Sequence, residues 1–321
     1  MGFLGQHFGL QGKGTLRVSV DKPHYISGEL ITGSLQVDVL EPIDCNEIIV
    51  IVKGKEKVSW TEHESRTDDH GHEKAVELKL SERHKIFNQK LVLFNVEHHI
   101  SPGQYVYPFQ YQLPKGLPGC YDNEGESAIK AKIEYSIKGA LDIDGTFTRD
   151  LKARKKLTVY AQLAGAVAPS VAERAEMVRF CCCLRQGSCS LRVAMDKNMY
   201  GPGEIPMIQR DILNQSSQNV TSMRCELVRT VAVRADGQSR TLTKVICGAI
   251  FPGVPAGQQL SELQPFRLPD HGLYPSTRSQ LISCSYCIEV TCDIPWCPDV
   301  DLFLPIALGA PMLVPVLSDP A

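Results

Sequence analysis

The chain has 321 residues, 43% of them hydrophobic and 22% charged, with a formal net charge of −2. This is enough chain for two domains and an ordinary balance for folded protein, which excludes global disorder and the overall basic field of a nucleic-acid binder. Its twelve cysteines, with no charged and apolar leader in Met1 to Leu10, are expected as free thiols in a reducing, cytoplasmic compartment.

The start Met1-Gly2 suits myristoylation, but Gln6 stands where that pattern takes Ser or Thr. The first periodic segment is a strand: Leu16, Val18 and Val20 alternate with Arg17 and Ser19. Pro23 and Ser27-Gly28 punctuate a turn, after which Ile31, Leu35, Val37 and Val39 alternate with polar residues. The series Leu16, Arg17, Val18, Asp21, Lys22, Tyr25, Gly28 and Glu29 then recurs in the second half. There it reads Leu191, Arg192, Val193, Asp196, Lys197, Tyr200, Gly203 and Glu204, displaced by 175 residues. Eight matches at one displacement mark an internal duplication. A strand apolar on one face must be covered by a second sheet, so each half is expected to be a β-sandwich.

Ile48 to Val52 is continuously apolar, as in a strand covered on both faces. Thr61 to Lys74 is instead polar and holds His63, His70 and His72 among carboxylates. It reads as an exposed hairpin loop; His70 and His72 with those carboxylates would otherwise be zinc ligands, but no rigid element fixes them. Pro102-Gly103 then opens a strand with Tyr105, Tyr107, Phe109, Tyr111 and Leu113 on one face, closed by Pro114, Pro118 and Tyr121.

This run resembles the strand and proline corner of the amino-terminal domain of arrestin-domain proteins, the α-arrestins in particular, with Cys120 where the family usually has Ser. The resemblance implies an all-β chain of two tandem immunoglobulin-like, arrestin-type antiparallel β-sandwiches. They are expected at residues 11–162 and 189–317, with a linker at 163–188.

Ile129 to Ile143 alternates for fifteen residues with apolar odd positions, a long strand with one wet face. Gly145 turns it, and Leu151 to Tyr160 returns with Lys152, Arg154, Lys155 and Lys156. These cations are either the solvated face of a sheet or a contact for phosphate or anionic lipid.

The Ala, Gly and Pro of 161–170 mark the domain boundary, which ends in Cys181, Cys182, Cys183 and Cys189. A cysteine tract here is familiar from α-arrestins. Neighbouring cysteines splay apart in an extended chain, which disfavours zinc; S-acylation of the triplet would tether it to a membrane. Cys189 shares a strand face with Leu191 and Val193. Cys284 and Cys287 have a chelating spacing, yet Ile282, Cys284, Tyr286, Ile288, Val290, Cys292 and Ile294 form one apolar face. Residues three apart on a strand point to opposite sides, so Cys284 and Cys292 are expected to substitute for core aliphatics.

Leu302 to Leu317 is broken by Pro305, Pro311 and Pro315 and is shorter than the ~20 residues of a spanning helix, so it reads as strand. Leu304 to Gly309 with Pro311 resembles the last strand of arrestin carboxy-terminal domains. No Gly-x-Ser-x-Gly elbow, phosphate loop or His-Glu-x-x-His occurs, so no enzyme, cofactor, catalytic residue or metal ligand is expected. The resemblance implies a non-enzymatic adaptor or scaffold in endocytic or endosomal protein transport. Its partners would be cytoplasmic tails or loops of membrane proteins and trafficking machinery, met peripherally at the plasma membrane or endosomes. The alternatives are a fixed subunit of a retromer-like sorting complex and a cysteine-based metal or redox sensor. α-Arrestins commonly recruit WW-domain ubiquitin ligases through Pro-Pro-x-Tyr motifs; none occurs in this sequence, so ligase recruitment by that route is not expected. The sequence singles out no partner-binding residue.

Overall fold

The computed structural model describes residues 13–67, 73–123, 126–142, 151–163, 165–180 and 184–310. All the regular elements in them are β-strands. The chain divides into two compact units. The first comprises the described residues up to Gln162 together with Val233–Ser239 and Thr277–Ile282; the rest forms the second.

The first unit contains β1 (Gly14–Val20), β2 (Leu30–Val39), β3 (Glu47–Thr67), β4 (Glu73–Asn95), β5 (Gly103–Gln112), β6 (Lys130–Asp142) and β7 (Lys152–Leu157). One sheet runs β1-β2-β5 and the other β7-β6-β3-β4. Alternation decides which side chains go inside: Ile31, Leu35 and Val37 of β2 and Val50, Val52, Ile133, Ile137 and Leu141 of β3 and β6 are all buried. Each such aliphatic contributes about 2 kcal/mol of burial. The sheets close face to face, since a Cβ on Gly139 of β6 would lie 2.4 Å from Leu35 Cδ1 and 3.1 Å from Val18 Cγ2. The aromatic face of β5 packs as its spacing requires, with Phe109 buried and Tyr111 stacked at 6.0 Å on Phe87 of β4, itself 6.0 Å from Tyr135.

The β3-β4 pairing continues as far as Thr67 opposite Glu73. Residues 61–67, expected in a loop, are therefore strand: ladder bonds need only backbone donors and acceptors, not an apolar face. His70 and His72 lie outside the described residues, as do Cys181, Cys182 and Cys183.

The second unit is built on β8 (Ser170–Phe180), β9 (Leu184–Met195), β10 (Met207–Ser216), β11 (Val220–Ala235), β12 (Gln238–Val254), β13 (Gln259–Pro265), β14 (Ile282–Asp293) and β15 (Val300–Leu308). Its sheets run β8-β9-β10-β13 and β15-β14-β11-β12. β8 falls within the segment expected to link the domains, and it pairs with β9 from Ser170 opposite Met195 onward. As a largely exposed edge strand it carries mixed charges rather than an apolar alternation. Cys189, Cys284 and Cys292 are buried with their aliphatic neighbours, whereas Cys287 is half-buried on the opposite side of β14. Two arginines are buried inside this unit. Arg210, fully buried on β10, donates to Glu262 Oε2 at 2.7 Å and lies 4.5 Å from the centre of the Phe251 ring, and Arg229 lies 4.9 Å from the centre of the Tyr274 ring.

Candidate functional site

The duplicated residues build the same turn twice. Tyr25 is buried, and its Oη donates to Asp21 Oδ1 at 2.5 Å, while the same oxygen accepts from Thr32 N at 3.1 Å. In the second copy Tyr200 Oη donates to Asp196 Oδ1 at 2.8 Å, which accepts from Met207 N at 3.2 Å. Lys22 pairs with Glu29 at 3.3 Å, and Lys197 with Glu204 at 2.5 Å. Gly28 and Gly203 take φ values of 87° and 77°, which a side chain would strain. The bond from Tyr25 holds the Asp21 carboxyl below its ordinary value, and burial followed by Asp21 itself pushes the Tyr25 hydroxyl up. These are anchors that close a strand turn. They leave no group poised for chemistry.

A buried carboxylate forms a second cluster. Glu56 occupies an inward position of β3 between Gly54 and Val58 and is 1% exposed. Its Oε1 lies 2.9 Å from His84 Nδ1 on β4. Its Oε2 accepts from Ser279 Oγ at 2.5 Å and from Leu281 N at 3.2 Å. Within the same unit, Gly119 N donates to Thr277 Oγ1 at 2.7 Å, so two points hold the 277–282 segment. Ser279 and His84 each bond to Glu56, from opposite oxygens, so the carboxylate separates hydroxyl from imidazole and no base-activated nucleophile is assembled. A cleft of about 170 Å³ nearby is lined by Glu82, Arg234, Gly237, Gln280 and Leu281, room for roughly five waters. Sequence reading passed over Glu56, although an acid in step with Val52, Val58 and Trp60 was the available signal.

The third feature is the outward face of the β7-β6-β3-β4 sheet. Lys53, Lys55 and Lys57 take successive outward positions on β3, opposite Ser136, Glu134 and Lys132 of β6. Across β3 they face Asn88, Lys85 and Arg83 of β4. Arg154 and Lys156 of β7, from the basic stretch noted in the sequence, face Lys138 and Ser136. Glu134 sits among these cations, 2.7 Å from Lys55 and 3.4 Å from Arg154. Burial works against its charge, but Lys55, Arg154 and Lys132 outweigh it and hold the carboxyl below its ordinary value.

Burial pushes the Cys189 thiol up to about 11 and those of Cys225 and Cys292 up to about 12, so they stay protonated at neutral pH. Among the described residues, no group of three or more His, Cys, Asp or Glu is arranged to hold a metal ion. No helix among them is long and apolar enough to cross a membrane.

Residues 16–166 match the family described as Arrestin (or S-antigen), N-terminal domain, and residues 185–313 match its C-terminal domain. Arrestin domain-containing protein A of Dictyostelium discoideum is 27% identical over 311 residues, covering 95% of this chain and 53% of that protein. Arrestin domain-containing protein B of the same organism is 22% identical, covering 90% and 45%. Arrestin domain-containing protein 17 of Caenorhabditis elegans is 26% identical, covering 70% and 51%. The chain thus spans about half the length of these curated relatives.

Proposed function

Since the chain belongs to the arrestin-domain family, we propose that it is a non-enzymatic adaptor that binds cytoplasmic tails or loops of membrane proteins during endocytic or endosomal sorting. The observation that carries this reading is the presence of both arrestin domains in one chain. The separation of Ser279 from His84 by Glu56 supports the non-enzymatic part. Open sheet edges support the binding part. In the first unit β1 and β5 flank their sheet among the described residues. Pro108 removes one donor from β5, whereas β1 contains no proline. An extended partner segment would add to β1 through main-chain hydrogen bonds.

Proximity labelling from the tagged chain in living cells tests this. Enrichment of transporters or receptors together with endosomal proteins is the expected result. A soluble, membrane-free neighbourhood would overturn it. A single large assembly of constant size on gel filtration would also overturn it, in favour of a fixed sorting-complex subunit.

A further inference from the structure

We propose that the outward face of the β7-β6-β3-β4 sheet docks on an anionic lipid membrane. Over residues 47–59 of β3 and the residues paired in register with them, this face carries twelve Lys and Arg against four carboxylates, Glu47, Asp122, Glu134 and Asp142; beyond them Lys79 and Glu77 take outward positions on β4. The whole chain has a net charge of −2, so positive charge is gathered on this face. Neighbouring strands lie ~4.8 Å apart and outward residues along a strand ~7 Å apart. Both spacings are shorter than the ~8 Å over which physiological salt screens a charge, so the cations act as one field.

The sheet keeps this arrangement against its own stability. Lys57 lies between Lys132 and Arg83, Lys55 is opposite Lys85, and Lys138 is opposite Arg154. Like charges in register repel. Glu134, the carboxylate at the centre, is already engaged by Lys55 and Arg154.

The chemistry of the face selects the partner. Ten of the twelve cations are lysines, point charges on flexible stems, spread over the outward face of a sheet. A fluid array of anionic headgroups fits this, whereas a phosphorylated peptide calls for arginine forks in fixed positions. No aromatic residue stands among the outward residues of rows 53–57, as base stacking on single-stranded nucleic acid would require.

The test is flotation with vesicles of phosphatidylcholine, with and without phosphatidylserine. Binding is expected only with phosphatidylserine and should weaken as sodium chloride rises. The triple change Lys53→Gln, Lys55→Gln, Lys57→Gln should lower the partition coefficient about a hundredfold, at about fivefold per cation. Fluorescence of buried Trp60 checks that the fold is kept. If that variant does not fold, Lys130→Gln, Lys138→Gln, Lys156→Gln on the neighbouring strands serves instead. The controls Arg174→Gln and Arg192→Gln, in the second unit, should bind like the parent.

Equal binding with and without phosphatidylserine at low salt, or undiminished binding by the folded triple variant, would overturn the proposal. So would binding of a phosphorylated peptide or of RNA without any binding to vesicles. The vesicles contain no protein, so a negative result here leaves the adaptor reading standing, and failure of proximity labelling leaves this one standing.

Discussion

Replacing Tyr25 by Phe removes one oxygen and leaves the buried ring in place, so it isolates that oxygen's bonds, chiefly the one to Asp21 and with it the longer one accepted from Lys22 N at 3.3 Å. The bond to Asp21 is short, 2.5 Å, and charge-assisted. In a buried setting it would be worth roughly 1.5–3 kcal/mol. Asp21, however, is exposed, and water replaces much of the lost donor, so the expected destabilisation is about 1 kcal/mol. With a urea slope of about 2 kcal/mol/M, the midpoint of the first unit should fall by about 0.5 M. The assay is built in: of the two tryptophans, Trp60 is buried in this unit and Trp296 is 81% exposed, so fluorescence reports Trp60. The folded Asp21 pKa is lowered. Its contribution is therefore present above the unfolded value of ~3.9 and is lost as pH falls through the folded value, so the Tyr25→Phe penalty should be full at pH 7 and shrink in acid. Tyr200→Phe, with its longer 2.8 Å bond, should cost the second unit slightly less. An unchanged Trp60 midpoint for Tyr25→Phe, or a penalty that does not shrink as pH is lowered below the ordinary carboxylate range, would refute the role given to this bond.

Glu56→Ala should cost roughly 1–3 kcal/mol, because it strands the Leu281 N–H, while the Ser279 hydroxyl keeps Ile282 O at 2.9 Å as an acceptor; faster amide exchange at Leu281 is the readout, and unchanged protection would count against the clasp. In the second unit, Glu262→Ala should destabilise by about 2–4 kcal/mol by leaving the buried Arg210 guanidinium without its carboxylate. Arg210→Met should cost less, since Glu262 is 44% exposed and water can serve it; thermal denaturation giving the reverse order would refute this. Native alkylation at pH 8 followed by mass spectrometry should leave Cys189, Cys225 and Cys292 unmodified until denaturant is added, as burial holds these thiols protonated. Rapid modification of Cys292 in the folded protein would contradict its placement in the core.

Period-two alternation is a local property of the chain, and whatever depends on it was legible without coordinates. It identified the sandwich strands, separated buried Cys284 and Cys292 from half-buried Cys287, and with the duplication gave two related halves. It could not show that Asp21, Lys22, Tyr25 and Glu29 interact with one another, although their recurrence marked them as a set. Strand 61–67 and β8 escaped notice for one reason: alternation reports burial of a face, while pairing of the backbone leaves no mark on side-chain polarity.

The remaining features depend on register, which only the folded sheets decide. Lys53, Lys55 and Lys57 lie some 80 residues before Lys132 and Lys138, and each cluster alone is an ordinary wet strand face. Whether they coincide in rows depends on where β3 pairs along β6, since a shift of one residue would turn one set to the other side. Glu56 is likewise an acid in an apolar series until closure brings Ser279 and Leu281 to it from more than 200 residues away. Sequence determined the strands and their faces because those follow from neighbours in the chain; tertiary structure determined the buried clasp and the cationic surface because both are sums over distant strands.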